Sequence, residues 1–181
     1  MKWTFLGTRG YIEEKNEKHR YHSANLLEVG DTRILVDFGE EHPAFPERVD
    51  AVVISHAHPD HFKGLLDREK LPPVFAHPKV LKDLKEQGLE AELKELPATI
   101  GSVKVSAIPV LHAEKVFPTA LVFEADEIRV LYSPDFLGFK NEADEDVLSA
   151  INVWIADASA PKRTIKRKGN VGHLSMPRIL D

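Results

Sequence analysis

The stretch Ser55–Gly64, SHAHPDHFKG, places His56, His58, Asp60 and His61 within six residues. It follows Ala51–Ser55, AVVIS, an unbroken apolar run with the pattern of a strand buried on both faces. Pro59 then suits the first turn of a helix, where the N–H it lacks would have no partner anyway. On extended chain His56 and His58 are two apart, so both side chains can point the same way. Asp60 and His61 fall on the first helical turn and point elsewhere. The cluster therefore offers two pairs of ligands and not a square of four. Neutral imidazole and carboxylate suit borderline cations such as zinc. Two such cations about 3.5–4 Å apart can share one hydroxide.

Composition narrows what surrounds this cluster. The chain has 181 residues, of which 43% are hydrophobic, enough for one domain with a substantial core. The absence of cysteine excludes disulfides, thiolate metal sites and a cysteine nucleophile. A net charge of −5 gives no global basic field, so a nucleic-acid partner would need local patches. The start, MKWTFLGTRG, has too short an apolar run for an export signal, and no stretch approaches a membrane span. A cytoplasmic protein without a membrane partner is expected.

Further strands are predicted at Lys2–Leu6, at Asn25–Val29 and Arg33–Phe38 (a hairpin over Gly30-Asp31), and at Pro73–Ala76 and Ser102–Pro109. Ala120–Glu124 with Ile128–Tyr132 reads as a second hairpin, and Ile151–Ala156 as a last strand. Helices are predicted at Pro78–Gln87, where Val80, Leu81 and Leu84 share a face, and at Glu142–Ala150. This is a mixed α/β pattern without the even alternation of a doubly wound sheet. Polar residues fall just past strand ends at His56, His112, Asp135 and Asp157, positions that can converge at one sheet edge.

HAHPDH matches the H-x-H-x-D-H motif, and the chain resembles the metallo-β-lactamase-fold hydrolases over nearly its whole length. The resemblance implies an α/β fold, a four-layer αβ/βα sandwich with a metal site at one edge. It implies that His56, His58 and His112 hold one metal, that Asp60 and His61 hold a second, and that Asp135 bridges both. Asp37, in LVDFG, would orient the metal loop by hydrogen bonds. The implied cofactors are two divalent ions, zinc first, with manganese or iron as alternatives. The implied reaction is hydrolysis by a metal-bridging hydroxide whose proton passes to Asp60. The family supplies one more histidine late in the chain. That histidine is expected beyond Asp181, with His173 in VGHLS, at the opening of a helix, as a substitute.

Two local features resemble the RNase Z type of tRNA-processing endonuclease and its small phosphodiesterase relatives. One is LGTRG followed by RYHSANLL, with Arg20 and Ser23 before the second strand. The other is ADAS followed by GHLS. There Asp157 stands where that branch has glutamate, and His173 matches the histidine that protonates the leaving group. Two basic loops, Lys15–His22 (with Lys18, His19 and Arg20) and Lys162–Lys168, would rim an anionic substrate if both overhang the metal edge. Arg20 and His22 are the expected substrate contacts. The expected partner is a small phosphodiester, a nucleotide or an RNA end, and a homodimer is the family's common assembly. Thioester or lactone hydrolysis of the glyoxalase II kind, and a non-catalytic metal-binding relative, remain as alternatives. An oxygen-reducing diiron protein is disfavoured, because His58 stands where those proteins carry glutamate.

Overall fold

The computed structural model describes residues 1–17, 19–160, 162–167 and 171–180, so that Lys18 and Lys168 lie outside the described residues. Two sheets face each other. The first runs in the order β1 (Lys2–Gly7), β2 (Ala24–Val29), β3 (Thr32–Phe38), β4 (Ala51–Val53), β5 (Val74–Ala76), β6 (Leu93–Glu95). Its first three strands are antiparallel and its last four parallel, with β3 belonging to both sets. In the second sheet β8 (Val103–Leu111) pairs β7 (Ala98–Ile100) and β11 (Gly138–Phe139) at its two ends. β9 (Thr119–Ala125), β10 (Ile128–Ser133) and β12 (Val153–Ala156) follow, the last parallel to β10. A small pair, β13 (Ile165–Lys166) and β14 (Gly172–His173), stands apart.

Alternation along the strands explains the layers. Leu35, Phe38, Val52, Ile54, Val74 and Ala76 face one way, onto Val80, Leu81 and Leu84 of helix α2 (Pro78–Glu86) and onto Phe62 of the short helix α1 (Pro59–Phe62). Ile34, Val36, Ala51 and Val53 face the other way, onto Val103, Val105, Leu121 and Phe123 of the second sheet. The outer face of that sheet, Val110, Ala120, Val122 and Leu131, is covered by Trp154, Ile151, Val147 and Leu174. AVVIS is unbroken because its two faces belong to two different cores.

Several predicted elements shift. β4 ends at Val53, so Ile54 and Ser55 lie in the loop that carries the histidines. Glu142–Ala150 is a 3₁₀ helix, not an α-helix, and the following strand begins at Val153. His173 closes the two-residue strand β14 and does not open the helix, which is α3 (Met176–Leu180). The polar edges β6 and β7, with β11, β13 and β14, had no prediction.

Candidate metal centre

The cluster residues hang from loops that follow strands in both sheets. His56 and His58 lie between β4 and α1, and Pro59 takes the first position of α1, whose N-cap is His58. The loop is tied at three points. Thr119 of β9 donates to the Ser55 carbonyl through Oγ1 (2.7 Å), Gln87 Nε2 donates to the Ala57 carbonyl (2.8 Å), and Ser55 N donates to Asp37 Oδ1 (2.8 Å). His112 follows β8 and Asp135 follows β10, both from the second sheet. Gly39 lets the chain after β3 lie against α1, since a Cβ there would sit 2.1 Å from the Asp60 carbonyl oxygen.

Four donor atoms converge. His58 Nδ1 is 3.0 Å from His56 Nε2 and 3.3 Å from His112 Nε2. Asp135 Oδ2 is 2.9 Å from His112 Nε2 and 3.3 Å from His56 Nε2. Donors about 2.0–2.2 Å from a tetrahedral ion stand roughly 3.3–3.6 Å apart, close to this spacing. On the other side of Asp135, His61 Nε2 lies 3.7 Å from Asp135 Oδ2 and 3.6 Å from Asp60 Oδ2.

Hydrogen bonds behind the rings decide which nitrogen faces inward. Ser55 Oγ gives its single proton to Asp37 Oδ2 (2.8 Å), so it can only accept from His56 Nδ1 (3.0 Å). His112 Nδ1 donates to the Gly172 carbonyl (3.0 Å), and His61 Nδ1 donates to Asp37 Oδ2 (2.8 Å). The Nε2 atoms of all three rings are thereby turned to the interior, the arrangement a cation needs. Gly172 can bring its carbonyl there because it has no side chain: at φ 150 its Cβ would lie 1.8 Å from the Ile165 carbonyl oxygen. The donor set fits one divalent ion among His56, His58, His112 and Asp135, and carries Asp60 and His61 beside it.

Asp37 owes its reach to a bulge. Ala24 pairs with Phe38 and Asn25 with Val36, so Asp37 is the extra residue of β3, held at φ 55. Burial and the neighbouring His56 and His112 push His58 down to about 3. Burial would also lower His61, yet the carboxylates of Asp60, Asp37 and Asp135 outweigh it and push that ring up to about 10. Burial would raise Asp135, but the adjoining His112 and His56 rings and the charge of His61 hold it well below the usual carboxylate range.

Asp157 and His173 meet on the far side of Asp135. His173 Nδ1 donates to Asp157 Oδ2, which also accepts from Phe136 N (3.2 Å), while Oδ1 accepts from Ser159 N (2.7 Å). With both oxygens engaged, Asp157 orients His173. Burial opposes the charged ring, but the Asp157 hydrogen bond and the charges of Asp135 and Asp60 raise its proton affinity overall. The two expected substrate contacts are placed differently. Arg20 is exposed, with its guanidinium over the Tyr21 ring. His22 is buried, and burial followed by Arg9 lowers its proton affinity. Its Nε2 accepts from Arg9 Nη2 (2.8 Å), which also pairs with Glu41 (2.7 Å). Arg9 and His22 line an open pocket of about 530 Å³ with Tyr11 and Lys15. Sequence reasoning missed Arg9, Ser55 and Tyr132. Only Ser55 carried a signal, its place at the end of AVVIS directly before the histidines.

The comparisons with known proteins agree with this architecture. The description "Beta-lactamase superfamily domain" matches residues 32–181, and the chain belongs to that superfamily. Ribonuclease Z of Methanopyrus kandleri is 39% identical over 69 residues, a match covering 34% of this chain and 24% of that protein. The chain thus spans about a quarter of the length of this curated relative. The metallo-beta-lactamase fold protein YhfI of Bacillus subtilis superposes with a TM-score of 0.73 at 18% identity, covering 96% of this chain and 77% of that one. Human tRNase Z, short form, superposes with a TM-score of 0.72 at 15% identity, covering 98% and 85%. Both structures share the fold with this chain. Among the described residues no helix is long and apolar enough to cross a membrane.

Proposed function

We propose that the protein is a metal-dependent hydrolase acting on a phosphodiester or another small anionic substrate, with two divalent ions, zinc in the first place and manganese or iron as alternatives. The convergence of His56 Nε2, His58 Nδ1, His112 Nε2 and Asp135 Oδ2 carries this reading. In it, His56, His58 and His112 would hold one ion and Asp60 and His61 the other, with Asp135 available to both. Bound there, the ions supply Lewis acidity, which acidifies a water and stabilises the negative charge that develops on the substrate. Asp60 accepts the proton that this water gives up. His173 has its Nδ1 committed to Asp157, so Nε2 is the atom that hands a proton to the departing oxygen.

The choice of an anionic substrate rests on the β13–β14 pair. Gly172 N donates to the His112 carbonyl, which docks this pair onto the site. Lys166 on it, and Lys162, Arg163 and Arg167 beside it in sequence, are exposed, and a positive rim at this edge would attract anions despite the negative net charge. The partial likeness to Ribonuclease Z supports phosphodiesters over thioesters. The Arg9–His22 pocket lies close by, since a Cβ on Gly10 would stand 4.0 Å from Asp60 Oδ2, and it offers room for the rest of a nucleotide or an RNA end. The test is hydrolysis of bis-p-nitrophenyl phosphate against S-lactoylglutathione by metal-loaded protein. Cleavage of the phosphodiester is expected. Cleavage of the thioester alone would move the assignment to the glyoxalase II kind, and turnover of neither would make the site a binding module.

A further inference from the structure

Tyr132 lies on β10 in the second sheet, yet its hydroxyl ends at a residue of the first. Its Oη is 3.1 Å from Asp37 Oδ2, 3.1 Å from Asn25 Nδ2 and 2.9 Å from Ser23 Oγ, and all four residues are buried. Chemistry fixes the direction of every bond. The Asn25 amide nitrogen can only donate and the carboxylate can only accept, so the single Tyr132 proton goes to Asp37 and Ser23 donates to Tyr132. Asn25 is held in turn, because Trp3 Nε1 donates to its Oδ1 (3.2 Å) and the Trp3 ring lies 5.5 Å from that of Tyr132. Asp37 Oδ2 thus receives three protons, from Ser55 Oγ, His61 Nδ1 and Tyr132 Oη.

We propose that Tyr132 is a positioning residue for the Asp60–His61–Asp135 half of the site. Its hydroxyl, oriented by Asn25 and Ser23, fixes the Asp37 carboxylate that holds the His61 imidazole with Nε2 toward Asp60 and Asp135. The His56 half depends on it less. There Ser55 keeps its own two bonds to Asp37, through N and Oγ, when the tyrosine hydroxyl is gone. Without the hydroxyl, the Asp37 oxygen that faces His61 loses one of its three donors, while the two Ser55 bonds remain. The hydroxyl therefore couples the packing of the two sheets to the affinity of one ion.

The inference rests on the two-ion reading above. The experiment is a zinc titration against a competing chelator, with cobalt absorption as the spectroscopic signature, on wild type, Tyr132→Phe, Asp37→Asn and the double variant. Wild type should take two ions. Tyr132→Phe should keep the tighter one and weaken the other by roughly tenfold, the low end for a residue that orients a ligand. In the Asp37→Asn background the tyrosine substitution should add nothing, since it acts through Asp37. Fewer than two ions on wild type overturns both the two-ion reading and this role. Two wild-type ions with an unchanged Tyr132→Phe, or with both affinities falling together, overturns only the tyrosine's role. Asn25→Asp is the second variant should Tyr132→Phe fail to fold. It turns a donor into an acceptor that competes for the tyrosine proton, and it too must weaken one ion selectively or the proposal fails.

Discussion

The two halves of the candidate site are built from the same residue types in different electrostatic settings. Around His56, His58 and His112 the rings crowd one another, and His58 is held down to about 3. Around His61 three carboxylates crowd one ring, and it is pushed up to about 10. In the first half His58 presents a neutral lone pair with no proton to displace. The second carries a proton that a cation must expel. The donor count alone hides this difference, because burial lowers both rings and only the neighbours' charges separate them.

The largest effect should come from removing the group shared by both halves. Asp135→Ala should leave fewer than two ions bound, counted by elemental analysis, and should lower turnover by about a thousandfold or more, in keeping with the several kcal/mol that metal Lewis acidity supplies. Asp60→Ala should abolish most turnover with the fold intact by circular dichroism, and full activity in that variant would break the assignment of its half. His173→Ala should leave the metal count untouched and slow an alkyl phosphodiester by about 10²–10⁴-fold. It should slow bis-p-nitrophenyl phosphate much less, because p-nitrophenolate leaves without a proton. Equal losses on both substrates would remove His173 from leaving-group protonation.

Asp37→Asn sharpens the contrast, with an expected loss of about 10–100-fold in affinity, concentrated in the His61 half. The smallest effect concerns stability without metal. Unfolding returns both His58 and His61 to about 6.5. Between about pH 3 and 6.5 the unfolded chain gains the His58 proton and the folded one does not, so that contribution is lost as pH falls. The His61 contribution is present below 6.5 and is lost as pH rises toward 10. The melting temperature of chelated protein should therefore peak near neutrality, and a curve still rising through pH 9 would contradict the His61 setting.

The readable parts of the chain were those where one rule acts alone. Val80, Leu81 and Leu84 mark α2 because a single apolar face is buried. AVVIS marks β4 because both faces are, although the last two residues serve the loop instead. Asp37 is marked only by the resemblance as a residue that orients the metal loop, and its bulge becomes visible only in the register against Ala24 and Asn25. Tyr132 reads as one more inward β residue, since nothing local says that its hydroxyl meets a carboxylate from the other sheet. Arg20 and His22 look alike as cations in a basic loop. Their environments separate them, because one stays in solvent and the other is buried against Arg9.

The cluster draws His56, His58, Asp60 and His61 from the first sheet and His112 and Asp135 from the second. An ion held by both groups would be a clasp across the open rim of the sandwich, tying the layers together far from the apolar seam that glues their middles. Stripping it out would let that rim open first, so amide exchange at Thr119, whose N–H is bonded to the Ser55 carbonyl, should quicken before exchange in the middle of the strands.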